Sequence, residues 1–315
     1  MLRKLLKIPA IHRFIRFSKT ISAPGFDNYS LFEVLRFFIQ RLMEGDVQSR
    51  ARSIAFSFFL ALFPAIIFLF SLIPYVPVDG FQDRLMLTLK EIMPPYTYEA
   101  SRITIEDIIK RERGGLLSLG ILFTLYVSSN GVLSLIHQFN YKSHYKQPSG
   151  WNLRIKAILL TIFLAVLVIM TIALLILSEV TVHYLSDKIR LTSQVPIYAL
   201  LAGKWLLLIG LCFTAISSLY YFGSNKHVQW RFVSAGSTLA TILVIGTSLG
   251  FNYFITHFAQ YNKLYGSLGT LIIILIWMNF NCLQLIVGYE LNASIEQAKM
   301  KGKKTLLQSK THEQA

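Results

Sequence analysis

Charged residues are scarce in most of this chain. Asp, Glu, Lys and Arg make up 15% of the residues and hydrophobic residues 54%, which excludes a mostly water-soluble domain. Six stretches contain no charged residue, and each approaches or exceeds the roughly 20 apolar residues that a spanning helix needs. They are residues 53–73, 114–136, 157–178, 205–223, 232–256 and 264–289. Stretches this long exclude the strands of a membrane barrel, so the sequence predicts an all-α polytopic membrane protein with six transmembrane helices.

Motifs that carry enzymatic chemistry are also missing. The sequence contains no GxxxxGK, HExxH or CxxC pattern. Its seven histidines are scattered, and no group of His, Cys, Asp and Glu has the spacing of metal ligands. Cys212 and Cys282 both fall within apolar stretches and are expected to be packing residues rather than a disulfide. We therefore expect no catalytic residue, no metal and no cofactor.

Acidic residues are about half as frequent as basic ones, 16 against 31, and the basic residues are unevenly distributed. Ten Lys and Arg precede the first apolar stretch, whereas the long segment 74–113 carries six basic and seven acidic residues. Loops rich in Lys and Arg stay on the cytoplasmic side, so we expect a bacterial inner (plasma) membrane protein with both termini cytoplasmic. The net charge of +15 is then a topology signal rather than the sign of a nucleic-acid partner.

The charge distribution divides the chain into three regions. Residues 1–48 are predicted to form cytoplasmic basic and amphipathic interfacial helices, residues 49–292 the six-helix transmembrane domain, and residues 293–315 a basic cytoplasmic tail. Within the second region, residues 79–113 are predicted to form a short outer helical hairpin, because Leu, Ile and Met recur at helical spacing on both sides of a Pro-Pro pair. The hairpin is too small to be a separate enzymatic domain.

The first region contains two amphipathic segments. Residues 1–19 alternate basic and apolar residues without the apolar core of a cleavable signal peptide, which suits a helix on the anionic cytoplasmic leaflet with membrane lipids as its partner. A nucleic-acid arm is the less favoured alternative. Residues 30–45 predict a second interfacial helix with Ser30 as N-cap and Glu33 in a capping box. Its predicted apolar stripe is Leu31, Leu35, Phe38, Ile39 and Leu42, with Glu33, Arg36, Gln40 and Arg41 on the opposite face.

Polar residues concentrate in and around the sixth stretch, where an unsatisfied polar atom is costly. Asn281 and Gln284 can share one helical face, whereas Asn279 points about 200° away from Asn281 on an ideal helix. Interhelical hydrogen bonds, each worth about 0.6 kcal/mol, are one interpretation, and a hydrophilic path for a polar headgroup or an ion is the other. The candidate residues for such a path or for helix packing are Asn130, Tyr261, Asn262, Tyr265, Gly266, Ser267, Gly269, Asn279, Asn281, Gln284, Glu290 and Asn292.

Two pairwise contacts are predicted from position. Glu290 follows directly after the sixth stretch, and we expect it to interact with Arg50 or Arg52 at the start of the first, because a carboxylate near the interface gains from a basic neighbour. In the fifth stretch small residues lie near one helical face and include a GxxxG match, so we expect another helix to approach them closely. These small residues are Gly236, Ala240, Gly246, Thr247 and Gly250.

A weak internal repeat is also present. Ser118, Leu119 and Gly120 open the second stretch, and Ser267, Leu268 and Gly269 open the sixth at the same offset that carries Asn130 onto Asn279. Chance is the favoured explanation in apolar sequence of low complexity. A true repeat of the parallel type would place both asparagines at similar depth on either side of a central axis.

Three segments resemble a known family. The run YNKLYGSLGTLIIILIWMNFNCLQLIVGYELN over residues 261–292 resembles the closing signature of the YihY/BrkB family of bacterial inner-membrane proteins, as do SRARSIAFSFFLALFP over residues 49–64 and GGLLSLG at the start of the second stretch. The family, once labelled ribonuclease BN and also called a virulence-factor family, implies six spans with both ends cytoplasmic and a role in envelope transport of a lipid or solute. Met278 and Asn279 depart from the apolar or aromatic residues that are usual there.

The ribonuclease label conflicts with the residues. Metal-dependent phosphodiester cleavage needs clustered carboxylates or imidazoles, and the expected cytoplasmic segments offer only dispersed ones. We therefore expect a non-enzymatic membrane protein with a transport or translocation role for a lipid or a small polar solute. A structural or partner-binding scaffold without transport activity is the alternative, and the substrate and oligomeric state are not predicted.

Overall fold

The computed structural model of this chain is a bundle of helices. It describes residues 30–72, 114–141, 150–188, 195–224, 231–257 and 267–313, together with residues 83, 86, 87, 90, 98, 99, 102, 103 and 106. The described segments contain seven helices and no strand, which confirms the all-α fold class. The predicted outer hairpin lies almost entirely outside the described residues, and those that are described between 83 and 106 are helical.

Each predicted span corresponds to one helix, although the fifth span was predicted to begin at residue 232 and its helix begins at Ala235. The helices are α1 Leu31–Glu44, α2 Val47–Leu72, α3 Gly114–Phe139, α4 Gly150–Lys188, α5 Val195–Gly223, α6 Ala235–His257 and α7 Ser267–Glu313. The last helix does not end with its apolar part but continues through the predicted basic tail, where Ala, Glu, Gln and Lys are good helix formers. The tail is therefore helical over most of its length.

Three helical segments within the described residues are both long and apolar enough to cross a bilayer. They are Gly150–Leu175 in α4, Leu200–Gly223 in α5 and Leu271–Gly302 in α7. A fourth segment, Ala235–Phe251 in α6, is apolar but shorter. These helices support the membrane class, and the count of six spans stays a prediction because parts of α2 and α3 have side chains outside the described set.

Large apolar side chains cover the outside of α4 and α5. Ile169 of α4 is 65% exposed and Leu206 of α5 is 72% exposed. Contiguous apolar surface of this kind is typical of protein that contacts a membrane or a partner. The side chains that make up this surface include Leu159, Val166, Val168, Met170, Leu177, Trp205 and Leu207.

The buried core lies at one end of the bundle, where α2 and α4 begin and α3 and α5 end. Small residues such as Ala51 and Ala157 let the helices approach, and larger ones fill the space between them. The larger core members are Ile54, Leu135, Ile136, Phe139, Leu153, Leu160, Leu219, Tyr220, Ile286 and Tyr289. This end of the bundle also contains the buried charges described below.

Helix α1 packs on the carboxyl-terminal part of α7. Its N-cap is confirmed, since Ser30 Oγ accepts a hydrogen bond from the Glu33 backbone N–H at 3.3 Å. The predicted apolar stripe is confirmed for Leu31, Phe38 and Leu42, which pack against buried residues, and wrong for Ile39, which is exposed. Val34, outside the predicted stripe, is fully buried against Leu291 and Ile295. The helix is rotated because α7 offers an apolar protein surface at this point, which sequence periodicity alone does not reveal.

Close approach of α6 to α7 depends on glycine at two positions. A Cβ atom added to Gly288 would lie 2.6 Å from the Gly236 carbonyl oxygen and 2.7 Å from the Ala240 Cβ. The predicted small face is thus confirmed for Gly236 and Ala240. It is also confirmed for Thr247, which contacts Gln284 of α7. At Gly246 and Gly250 an added Cβ meets nothing within 4 Å among the described residues, so the predicted close approach does not occur at these two glycines.

Candidate functional site

A tight turn between α1 and α2 sets the geometry of the charged end. Gly45 ends α1 and Asp46 follows with a φ of 46°, in the left-handed region that Asp tolerates better than most residues. The Asp46 carbonyl then accepts the backbone N–H of Arg50 in the first turn of α2, at 3.1 Å. The turn therefore directs Arg41 of α1 and Arg50 of α2 towards the same point.

That point is Glu290 of α7, whose side chain is only 2% exposed. Its Oε1 accepts a hydrogen bond from Arg50 Nη1 and its Oε2 accepts one from Arg41 Nε, both at 2.5 Å. The Arg50 side chain is 5% exposed and the Arg41 side chain 21% exposed. One buried carboxylate therefore joins three helices, and the ionic cluster of Arg41, Arg50 and Glu290 carries two positive charges against one negative charge.

Arg50 extends the cluster to a fourth helix. Its Nη2 donates to the Gln138 carbonyl near the end of α3 at 2.6 Å, and its Nη1 also donates to the Gly45 carbonyl at 3.4 Å. The ring of Tyr141 lies 5.9 Å from the guanidinium carbon, within the range of a cation–π contact. The hydrogen bonds replace the hydration that a buried guanidinium loses.

The predicted partner of Glu290 is confirmed for Arg50. Arg52, the alternative, is exposed, and the described ion pairs of Glu290 are with Arg41 and Arg50 instead. The contact of Arg41 with Glu290 corrects the sequence prediction, which placed Arg41 on the polar face of α1 and did not expect this contact. Its position follows from the rotation of α1 onto α7, which turns the Arg41 face towards the protein.

An aromatic cluster lies next to Glu290. Phe139 of α3 stacks on Tyr289 of α7 with ring centroids 4.2 Å apart, and Tyr220 of α5 meets both rings edge to face. The Tyr220 hydroxyl donates to the Leu285 carbonyl at 2.6 Å. The rings screen the ionic cluster from the rest of the bundle, which strengthens the electrostatic interactions within it.

Asn292 fixes the start of α6. Its Oδ1 accepts the Gly236 backbone N–H at 2.7 Å, and its Nδ2 donates to Ser234 Oγ at 2.8 Å. Ser234 and Ser237 cap the helix reciprocally, each hydroxyl oxygen accepting the backbone N–H of the other at 3.1 Å. Asn292 therefore has an interhelical packing contact, in agreement with one of its two predicted roles.

The three amides inside the sixth stretch have different environments. Gln284 Nε2 donates to Thr247 Oγ1 of α6, and Asn281 Nδ2 donates to the Trp277 carbonyl of its own helix at 2.8 Å. Asn279 Oδ1 is buried and has no hydrogen-bond partner in the described part of the chain. The contact of Gln284 is thus interhelical and that of Asn281 lies within its own helix, whereas the Asn279 amide oxygen is buried without a hydrogen-bond partner among the described residues.

Asn130 of α3 contacts an arginine. Its Oδ1 accepts a hydrogen bond from Arg154 Nη1 of α4 at 2.7 Å, and Ser129 Oγ accepts a second one from the same nitrogen at 3.1 Å. The guanidinium carbon lies 4.0 Å from the ring centroid of Tyr126, a close cation–π contact. The predicted equivalence of Asn130 and Asn279 stays a prediction, and the two amides differ in that only Asn130 has a charged partner.

The remaining candidate residues are at the start of α7. Tyr261, Asn262, Tyr265 and Gly266 lie outside the described residues. Ser267 and Gly269 are in the first turn of α7, and their surroundings lie outside the description as well. The part of the predicted polar set that precedes α7 therefore stays a prediction.

A cavity of about 520 Å³ lies between the beginning of α1 and the carboxyl-terminal part of α7. Its lining combines polar side chains and charges of both signs with two phenylalanine rings, and it is formed by Ser30, Phe32, Glu33, Arg36, Phe37, Gln40 and Lys301. Across the described helices, no three His, Cys, Asp or Glu residues come close enough together to bind a metal ion.

Besides Arg41, sequence reasoning missed the interhelical contacts of Arg154, Ser234 and Tyr220. Arg154 was assigned to a loop because the apolar stretch begins at residue 157, whereas α4 begins at Gly150. Ser234 could have been found from the Ser-x-x-Ser spacing of a helix start. Nothing in the sequence indicated that Tyr220 is buried between helices, since a tyrosine near the end of a span is usually an interfacial anchor.

Comparison with known sequences identifies a family that this chain matches. A sequence model described as Virulence factor BrkB matches residues 38–313. The ribonuclease-like protein YfkH of Bacillus subtilis strain 168 is 27% identical over 80% of this chain and 91% of YfkH. UPF0761 membrane proteins of Tolumonas auensis and Vibrio campbellii are 24% and 25% identical, over 82% and 89% of this chain and 84% and 85% of their own lengths. No solved structure matches.

Proposed function

Because the chain belongs to the virulence factor BrkB family, a family of membrane proteins, we propose that it transports or translocates a lipid or a small polar solute across the bacterial inner membrane. The proposal includes six spans with both termini cytoplasmic, as the loop charges predict. No nucleotide-binding motif is present in the sequence. Transport would therefore be facilitated, coupled to an ion, or dependent on another protein.

The observation that carries the proposal is the buried pair of Arg50 and Glu290. Ionisable residues within membrane helices are costly and commonly mark pathways or moving parts. Here the pair joins α2 to α7 at one end of the bundle, with Arg41 of α1 as a second cation. If α2 and α7 separate, water can hydrate all three charges and offset the lost ion pair. The cluster is therefore suited to open and close that end of the bundle.

Reconstitution tests the transport proposal directly. Full-length protein in liposomes should accelerate the movement of labelled phospholipid between leaflets, or the release of a trapped polar solute, relative to empty liposomes. Glu290→Gln should change that rate, whereas Glu296→Gln, further along the same helix and outside the ionic cluster, should leave it unchanged. An unaltered lipidome in a deletion strain, together with no acceleration by the wild-type protein, would refute the proposal.

Thiol labelling tests the proposed orientation. In a variant without Cys212 and Cys282, a cysteine at Asp83 or Glu106 should react with an impermeant reagent added from outside, and one at Ser143 or Gln229 should not. Both native cysteines are free thiols, so their removal breaks no disulfide. Labelling in the opposite sense would contradict the six-span topology.

A structural or partner-binding scaffold is the second candidate. It is favoured by the hydrogen bonds of Gln284 to Thr247 and of Asn292 to Ser234, which use buried amides for packing between helices. A scaffold would leave lipid and solute movement unchanged in the reconstitution while the deletion alters envelope integrity. This combination distinguishes the two candidates.

Ribonuclease activity is not part of the proposal, although the printed name of YfkH includes the words ribonuclease-like. Phosphodiester cleavage by metals needs clustered carboxylates, and Glu290 is occupied by two arginines. An RNA-cleavage assay on purified protein with Mg²⁺ or Zn²⁺ checks this point. Activity that disappears in Glu44→Ala or Asp46→Ala would overturn our conclusion.

A further inference from the structure

Arg154 is a cation near the start of α4, and its contacts within the described residues include no carboxylate. It lies within the apolar segment Gly150–Leu175 of α4, and its side chain is half-buried. Its protein contacts are the Asn130 amide oxygen, the Ser129 hydroxyl oxygen and the ring of Tyr126. All three partners are neutral, so they orient the guanidinium without cancelling its charge.

The guanidinium points along α3 towards the middle of that helix rather than towards its end. Asn130 precedes the last residue of α3, Phe139, by nine positions, which corresponds to about 14 Å along the helix axis. Tyr126 is a further helical turn away from that end. An arginine near a helix end ordinarily extends its side chain towards the interface, but Arg154 instead reaches towards residues deeper in the neighbouring helix.

One edge of the guanidinium remains available. Both hydrogen bonds to α3 come from Nη1, whereas Nη2 and Nε make no hydrogen bond with any described residue. The N–H groups of Nε and Nη2 lie side by side on the same edge of the planar group. That edge has the geometry that binds two oxygens of a carboxylate or phosphate at once.

The surface around this edge is apolar and exposed. Tyr126 is 52% exposed and Phe123 63% exposed on α3, and Trp151 is 74% exposed on α4. Exposed aromatic rings near a span end are typical of the interface between lipid headgroups and acyl chains. A ligand for Arg154 must therefore combine an anionic oxygen group with apolar chains.

We propose that Arg154, held by Asn130 and Ser129 and stacked on Tyr126, binds the headgroup phosphate of an anionic phospholipid. Phosphate offers paired oxygens to the Nε and Nη2 edge, and the acyl chains lie along the exposed apolar residues of α3 and α4. On the orientation predicted from the loop charges, the site faces the cytoplasmic leaflet, whose anionic lipids are attracted to basic protein segments. This lipid site goes beyond the transport proposal and does not require it.

Native mass spectrometry of the full-length protein in detergent tests the site. Titration with phosphatidylglycerol and, separately, with phosphatidylcholine gives the affinity for an anionic and a zwitterionic lipid of the same chain length. We expect the wild type to bind phosphatidylglycerol more tightly and Arg154→Gln to bind it about tenfold more weakly, the loss expected for a charge-assisted hydrogen bond. Arg52→Gln, which removes an exposed cation near the same end of the bundle, is the matched control and should leave the affinity unchanged.

A second variant covers the case in which Arg154→Gln does not fold. Asn130→Asp keeps the side-chain shape and places a carboxylate beside the guanidinium, which should preserve folding and weaken phosphatidylglycerol binding to a similar extent. Equal affinity of the wild type for both lipids, or equal losses in Asn130→Asp and Arg52→Gln, would overturn the proposal. Binding of water-soluble glycerophosphoglycerol as tight as that of the lipid would also overturn it, since the site would then bind free phosphate esters.

Discussion

Arg50 is buried and Arg154 is half-buried, so the positive charge of each loses hydration. The contacts that replace this hydration differ between the two arginines. Arg50 donates to the Glu290 carboxylate and to a backbone carbonyl, so a charge of opposite sign compensates for its lost hydration. Among the residues that the structure describes, Arg154 donates only to an amide and a hydroxyl, and it stacks on a ring. Neutral contacts of this kind replace part of the hydration but leave the positive charge in place.

The difference assigns separate roles to the two regions. A charge neutralised from within the protein holds α1, α2 and α7 together and needs nothing from outside. A charge that the protein orients but leaves uncompensated attracts an anion, and in a bilayer the available anions are lipid headgroups. The first region is thus expected to determine stability, and the second to determine what the protein binds.

The largest effect on the free energy of unfolding is expected when the ionic cluster loses the negative charge of Glu290. Glu290→Gln keeps the side-chain size but leaves Arg50 buried without a counter-charge, which should lower the free energy of unfolding by about 3–5 kcal/mol. Reversible unfolding in mixed detergent micelles measures the change. Glu296→Gln on the same helix is the control and should shift stability by less than about 0.5 kcal/mol.

Charge reversal then identifies the partner. Glu290→Arg should be severely destabilised, and Arg50→Glu should restore part of the lost stability because the two side chains still meet. Arg52→Glu should restore none, since Arg52 is exposed outside the cluster. Equal rescue by both second substitutions would mean that general charge balance, rather than the buried pair, stabilises this end of the bundle.

A smaller effect of opposite sign on the free energy of unfolding is expected when a carboxylate is placed beside Arg154. Asn130→Asp places a carboxylate at the position of an amide oxygen that lies 2.7 Å from the guanidinium, and it should raise the free energy of unfolding by about 1 kcal/mol. Asn281→Asp is the control, because the hydrogen bond described for its amide is to the Trp277 carbonyl of its own helix and not to a cation. We expect that control to be destabilised. Loss of stability in both variants would show that Arg154 is already neutralised.

The sequence predicted the helices well because the signal for them is local. Uncharged apolar runs correspond to α2 through α7, and the capping residues Ser30 and Glu33 mark the start of α1. It also predicted the contact of Glu290 with Arg50, since a carboxylate and an arginine at the ends of two spans have few alternatives. Helix ends were less accurate, as the early start of α4 shows.

Features that depend on how helices rotate and cross could not be predicted in the same way. The face that α1 turns towards α7, and with it the contact of Arg41, depends on the surface that α7 presents. The GxxxG match at Gly246 and Gly250 is a local pattern, but the crossing point lies at Gly236 and Gly288 instead. Arg154 was overlooked because a basic residue near a span end is usually part of the topology signal.

The smallest effect is expected for an interhelical contact without any charge, which serves as the baseline for both arginines. Gln284 donates to Thr247, and a double-mutant cycle with Gln284→Met and Thr247→Val should give a coupling of about 0.6 kcal/mol, the typical value for hydrogen bonds between membrane helices. The single change Gln284→Met should cost little, because it also removes a buried carbonyl oxygen that has no partner among the described residues. A coupling of several kcal/mol would contradict our comparison, since neutral contacts would then stabilise this bundle as strongly as the buried ion pair of Arg50 and Glu290.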